Sequence, residues 1–391
     1  KSSRHSKALR ALGVALLPAG AGCSREAPLP PPSSDSAAVD RQGQAFVEAM
    51  KPRRPGKPVV AVLARNENTE TTDFLLSHAV LQRSGVAQVQ AVAPRRGRVS
   101  LYPALQVEVE QDLHGFDKTH PAGADYVIVP ALDDADDPAI TRWLQQQAAK
   151  GARIIGVCAG GLIVGRAGML DGRHFVTHWY FREDVLERHP SARFVPHRRY
   201  VVDGNVATTT GITASMPAML ALVEAIGGRA RAQALAAELG VASWTPVHDS
   251  SAFGLNTTRV ASYLLAKAAF WRNEHWEAAV RDGQDDIALA LAADAWSRTG
   301  HVHVTASGAG PVTLKSGLRL VTEAAEPGRD RMPLTPDVPP AQQLDRTLCE
   351  IASRFGEARS EWVRIEMEYP GRPACSGSPA SSADLLSSQR S

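Results

Sequence analysis

The chain has 391 residues, of which 44% are hydrophobic, 21% charged and 6% aromatic, and its 43 Lys and Arg nearly balance its 41 Asp and Glu. This composition excludes a disordered, collagen-like or supercharged protein. The length calls for two compact units or one large one, since single cores stop growing below ~250 to 300 residues. The four cysteines, Cys23, Cys158, Cys349 and Cys375, are too few and too scattered to predict a disulfide framework or a zinc site. Residues 1–57 hold ten Lys or Arg against four Asp or Glu, leaving 33 against 37 for the rest. That mildly acidic remainder lacks the clustered basic face of a nucleic-acid reader, so no nucleic-acid partner is expected.

Basic residues from Lys1 to Arg10, the apolar stretch Ala11 to Leu17 and the small residues before Cys23 read as a secretory signal over 1–23, with Cys23 as a lipid attachment point. The expectation is a cell-envelope protein, periplasmic or anchored to the membrane through a lipid on Cys23. A disordered tail on a cytoplasmic protein is the alternative. Residues 24–57, rich in Pro, Ser and basic side chains, read as a linker.

From Pro58 onward, apolar runs alternate with helical patterns, which predicts an α/β fold with a doubly wound parallel sheet. Strands are expected at 59–64, 89–93, 126–130 and 153–157, with helices at 71–83 and 139–150 and a hairpin over 99–109. The run Val99 to Val107 matches Val312 to Leu320 in pattern, 213 residues later. Residues 285–370 therefore read as a degenerate half-repeat without a nucleophile, with a strand at 287–292, a helix at 344–355 and a strand at 362–367. A helical connector over 229–284 joins the halves, and 371–391 reads as a disordered tail.

The strand at 153–157 runs into Gly156-Val157-Cys158-Ala159-Gly160, a G-x-C-x-G sequence at a strand-to-helix turn. This is the thiol counterpart of a nucleophile elbow, whose glycines allow a sharp turn and close strand approach. Unpaired N–H groups at the helix start are expected to favour thiolate. The backbone of Ala159 and Gly160 faces the site, with Ala131 and Leu132, after the neighbouring strand, as sources of a second oxyanion donor. The plain alternative is that Cys158 is a small buried hydrophobe. His114, Asp117 and His120 match no common ligand spacing, so no metal is expected, and the absence of a glycine-rich phosphate loop leaves no cofactor expected. Phe270, Trp271 and Trp276 read as core or interface anchors.

The elbow, its continuation to Arg173, Thr177-His178-Trp179 and Thr208-Thr-Thr-Gly-Ile-Thr-Ala214 resemble, in that order, the ThiJ/PfpI (DJ-1/PfpI) family of class I glutamine amidotransferase-like, flavodoxin-like folds over 58–228. The resemblance is to sensor domains of AraC-type regulators and to stand-alone relatives without the DNA-binding half. It implies a carboxyl beside the cysteine, with Glu70 in that place and Asp73 as the competing choice. A carboxyl next to a thiolate is expected to be pushed toward its protonated form. The resemblance also implies His178 as general acid or base, with Asp203 and Glu183 conceivable as third members, and a homodimer. The expected function is a cysteine-dependent hydrolase, hydratase or lyase on a small carbonyl, amide or nitrile-like compound. The alternative is a small-molecule or redox sensor of the same fold.

Overall fold

In the computed structural model, which describes residues 36–254 and 274–371 with positions 29, 32, 373 and 375, β1 (Val59–Leu63) is an interior strand of a seven-stranded sheet. Its residues alternate between two cores: Val60 and Val62 face one side, Ala61 and Leu63 the other. That two-sided burial explains the unbroken apolar run. The chain continues through β2 (Thr69–Glu70), α2 (Thr71–Ser84), β3 (Gln88–Ala93), β4 (Gly97–Tyr102), β5 (Gln106–Val109), β6 (Gln111–Asp112), α3 (Leu113–Thr119), β7 (Tyr126–Val129), α4 (Pro138–Ala149), β8 (Arg153–Gly156) and α5 (Gly160–Arg166). After β9 (His174–Phe175), α6 (Arg182–Arg188) and β10 (Arg193–Phe194) come β11 (Tyr200–Asp203), β12 (Val206–Thr209), α7 (Ser215–Gly227) and α8 (Arg229–Leu239). The strand order is β11-β12-β8-β7-β1-β3-β6, parallel except for β11. The chain first winds from β1 toward β3 and β6, then returns to β7, so its switch point falls between β1 and β7. Crevices beyond the carboxyl ends of strands at such a point are where open α/β sheets bind ligands.

One earlier helix, α1 (Ser36–Ala49), corrects the reading of 24–57 as a tether. Phe46 packs 4.6 Å from the Tyr200 ring, and the Tyr126 hydroxyl donates to the carbonyl of the buried Met50 at 2.6 Å. Burying an aromatic side chain of this kind contributes ~1.5–3 kcal/mol, enough to dock a helix whose flanks are polar. The signal and lipidation reading of 1–23, the tail beyond 375, and Phe270 and Trp271 all fall outside the described residues.

The C-terminal part is built from β13 (Glu274–Ala279), α9 (Asp286–Arg298), β14 (Val302–Ser307), β15 (Val312–Thr313), β16 (Arg319–Leu320), β17 (Asp330–Arg331), α10 (Gln343–Phe355) and α11 (Glu357–Glu366). Two expectations need correction. The apolar run 287–292 lies in helix α9, because it continues through Ala293, Ala295 and Trp296 to the thirteen-residue length of a helix and starts at an Asp285 cap. Residues 362–366 belong to α11 rather than a strand, with Trp362, Val363 and Ile365 buried and Glu361 and Arg364 paired one turn apart. Among the described residues of the connector, α8 is the one α-helix, and Trp276, expected in a helical stretch, lies in β13, buried 4.6 Å from Trp296.

The order β13-α9-β14 followed by the hairpin β15-β16 repeats β1-α2-β3 followed by β4-β5. β13 and β14 pair in parallel across α9, as β1 and β3 pair across α2. The two hairpins join one sheet, in which β16 pairs antiparallel with β5, Leu320 opposite Val107 and Arg319 opposite Glu108. Since Val107 and Leu320 are the matched positions of the sequence echo, the halves meet about a local two-fold axis through that pair. Helices α2 and α9 pack across the same axis. At their ends, Arg83 donates to Asp285 at 2.9 Å and Arg298 donates to Glu70 at 2.7 Å. These two ion pairs are equivalent, with Asp285 and Arg298 each 215 residues beyond Glu70 and Arg83.

Cys349 and Cys375 form a disulfide across 26 residues, contrary to the expectation of unpaired cysteines. Among the described residues, Cys158 is the free thiol.

Candidate active site

Cys158 adopts φ +58°, a left-handed conformation that costs a side-chain-bearing residue ~1–3 kcal/mol and persists only where its surroundings impose it. They do so here through both backbone groups: Cys158 N–H donates to Thr209 Oγ1 at 3.2 Å, and Thr177 Oγ1 donates to the Cys158 carbonyl at 2.9 Å. The flanking glycines are needed for space, as expected. A Cβ on Gly160 would stand 1.9 Å from the Val129 carbonyl oxygen, and one on Gly156 would press on Val164 and the start of α5. The strand-to-helix switch thus brings α5 against β7 and leaves the sulfur at the carboxyl edge of the sheet, beside the switch point.

Two acids reach this edge from the loop after β1. Glu70 caps α2, accepting the Asp73 N–H at 2.6 Å, and also receives Arg298 Nη2. Asp73 is fully buried, and its Oδ2 accepts the Ala131 N–H at 3.1 Å. Its Oδ1 takes no hydrogen bond from a described N–H or O–H group, and the Cys158 thiol lies against this carboxyl. The acid at the sulfur is therefore Asp73, the competing choice, whereas Glu70 is the helix cap. The reason is geometric: a cap side chain must fold back over its own helix start, while a residue one turn in projects past it. Ala131 correspondingly spends its N–H on Asp73 rather than offering it to an oxyanion. Leu132 is buried opposite Thr69 in a short bridge. Ala159 N–H faces the sulfur, and Gly160 N–H is bonded to the Val157 carbonyl at 2.7 Å.

The electrostatics reverse one expectation. Burial first, then the carboxyls of Asp73, Glu70 and Glu368, push the Cys158 thiol well above its ordinary value, outweighing the Ala159 N–H. The resting sulfur is a thiol, because a short helix start cannot offset a dry setting surrounded by acids. Burial also raises Asp73 to about 7, against the lowering effects of the Ala131 N–H and Arg298. Glu70 is held well above the carboxylate range by burial, Asp73 and Asp294, so it is pushed toward its protonated form in the direction expected, but by neighbouring acids more than by sulfur.

His178 is buried, and both ring nitrogens are engaged. Nε2 donates to the Glu366 carbonyl at 2.8 Å, and Nδ1 accepts the Tyr180 N–H at 3.2 Å. Burial lowers its pKa to about 4, so it is neutral. In this arrangement the ring pins the C-terminal segment instead of serving as acid or base. Glu368, which the sequence reading missed, supports the same corner: Oε1 accepts the Trp179 N–H at 2.7 Å and Oε2 accepts the Gly211 N–H. Asp203 pairs with His174 and Glu183 with Arg182, so each has a partner other than His178. His120 meets Gln90 and Asp117 meets Gln147, and no group of residues able to hold a metal occurs among the described residues.

An acid-paired cysteine on a sharp elbow, at the carboxyl edge of a flavodoxin-like sheet, defines an α/β domain of the nucleophile-elbow class. The DJ-1/PfpI family model matches residues 58–225. Over that stretch the chain is similar to the DJ-1/PfpI family. It is 33% identical over 117 residues to an isonitrile hydratase of Pseudomonas putida, covering 30% of this chain and 50% of that protein. It is 33% identical over 86 residues to the HTH-type transcriptional regulator CdhR of Pseudomonas aeruginosa, covering 22% and 25%. The chain therefore spans half or less of these relatives. Drosophila melanogaster DJ-1beta superposes with a TM-score of 0.43 at 19% identity, covering 48% of this chain and all of that one.

Proposed function

We propose that the chain is a cysteine-dependent enzyme acting on a small electrophilic compound, with hydration of an isonitrile as the favoured reaction. The observation that supports it is the pairing of Cys158, held at positive φ, with Asp73, a buried carboxyl that titrates at about 7. A base poised near working pH exchanges protons most effectively. Since the resting sulfur is protonated, the nucleophile forms as substrate binds. Asp73 takes the S–H proton, sulfur adds to the terminal isonitrile carbon, and Asp73 returns the proton to that carbon. Water then adds to the C=N bond of the thioimidate. The adduct expels sulfur, which regains a proton, and leaves an N-substituted formamide, so water is the only co-reactant.

The similarity to isonitrile hydratase supports this choice of substrate, and the same sulfur would attack a carbonyl, amide or nitrile carbon. Purified protein assayed with isonitriles, glyoxals and amides is expected to turn over one class, with activity lost in Cys158→Ser and lowered by ~10²- to 10⁴-fold in Asp73→Asn. The second reading, a small-molecule sensor, is favoured by the raised thiol and the similarity to transcriptional regulators. Ligand-induced thermal stabilisation without turnover would select it. The Cys349–Cys375 disulfide supports an oxidising compartment, in line with an exported, envelope-located protein. Mass spectrometry of the native N-terminus tests that placement: an intact, unlipidated start would overturn it.

A further inference from the structure

We propose that the C-terminal half supplies a positioning residue to the Cys158 site: Arg298, by pairing with Glu70 and Asp294, leaves Asp73 as the carboxyl able to exchange a proton with the sulfur. The proposal rests on reading Cys158 and Asp73 as the reacting pair.

The geometry is that of a buried cluster shared between the halves. Arg298 donates from Nε to Asp294 Oδ1 at 2.6 Å and from Nη2 to Glu70 Oε1 at 2.7 Å, with all three side chains almost wholly excluded from solvent. Thr72 Oγ1 lies 2.9 Å from Asp294 Oδ2 and 3.0 Å from Glu70 Oε2, closing the cluster. Glu70, Asp73 and Asp294 thus surround a single guanidinium. Tyr102 and Glu366 face Arg298 from the hairpin and from α11, and Cys158 and Glu368 complete the acidic side. His178 is neutral there and adds no charge. Three buried carboxyls cannot all ionise against one cation. Because Arg298 touches Glu70 and Asp294 but not Asp73, it fixes two of the acids in place and acts on the third by charge alone.

The pseudo-two-fold supplies an internal control. Arg83 makes the equivalent bond to Asp285 at the far end of the α2–α9 contact, beside a surface pair with Glu238 and at the opposite end of α2 from Asp73. If Arg298 served only to join the halves, losing either arginine would have the same consequences.

The test follows the Asp73 carboxyl carbon by NMR in protein labelled with ¹³C-aspartate, assigned by its disappearance in Asp73→Asn. In the wild type it is expected to titrate at about 7. Arg298→Met is expected to raise that midpoint by about one pH unit or more, since a positive charge is lost from a dry site, and Asp294→Asn to lower it. Arg298→Lys should restore most of the wild-type midpoint, and Arg83→Met should leave it in place. An unchanged midpoint in folded Arg298→Met, or equal shifts of the same sign in all variants, would overturn the proposal. Should Arg298→Met not fold, a lowered midpoint in Asp294→Asn with a near wild-type midpoint in Arg298→Lys supports the proposal, and an unchanged or raised midpoint in Asp294→Asn overturns it. The measurement needs no substrate, so absence of turnover on every compound would count against the proposed reaction while leaving this result separately readable.

Discussion

Asp73 carries an energetic cost that its place at the sulfur explains. A carboxyl whose folded pKa is raised from 3.8 to about 7 binds more protons in the folded than in the unfolded chain between those values. Its contribution to stability therefore falls as pH rises through that window, by roughly 1.4 kcal/mol for each unit. Neutral His178 and His78, both lowered to about 4, act in the opposite sense, losing stability as pH falls from 6.5 toward 4. Asp73→Asn should accordingly gain stability relative to wild type as pH rises from 4 to 7, measured by urea unfolding at each pH, and a difference that stays flat would contradict the burial account. At this scale much was legible in the sequence. The flanking glycines announced the elbow, because the steric need at Gly156 and Gly160 is local. The roles of Glu70 and Asp73 were not, since either could cap a helix and only the direction of each side chain separates them. His178 was readable as a site neighbour, but its partner, the Glu366 carbonyl, stands 188 residues away.

The strands at 59–64, 89–93, 126–130 and 153–157 and the helices at 71–83 and 139–150 fall within a residue or two of their expected bounds, because strands buried on both faces and helices with caps leave strong local patterns. The second half misled for the same reason. An apolar run such as Ile287 to Ala292 is indistinguishable from a buried strand until its continuation is weighed, and β13 (Glu-His-Trp-Glu-Ala-Ala) carries little strand signature. The signal for Arg298 was nevertheless present: an offset near that of the hairpin echo carries Glu70 and Arg83 onto Asp285 and Arg298. The disulfide ties α10 to position 375, and the loop it closes contains α11, Glu366 and Glu368. Cross-linking a loop of this size is worth ~3 kcal/mol, chiefly by restricting the unfolded chain. Cys375→Ser should lower the unfolding free energy by about that amount, measured by denaturant titration, and added reductant should then have no further effect. An equal response to reductant in the variant would show that another bond is responsible.

Across the whole molecule, the two halves share one continuous core, running from Phe74 and Leu220 through Trp296 to Leu348 and Val363. The face of α2 and the free edge of β5 are thus covered by α9 and β16 of the same chain. A homodimer built on this face would have to displace α9 and β16, so any dimer that light scattering of the purified protein detects is expected to survive a substitution there. A dimer that disappears in Leu320→Asp while the fold survives would show the opposite. Joining the halves in one polypeptide also changes what substitution can do. When identical subunits meet about an axis, every replacement is made twice and both ends of the contact alter together. Here the axis is only local, so Arg298 and Arg83 can be tuned independently, one beside the Cys158 site and the other between Asp285 and Glu238 at the far end of the contact.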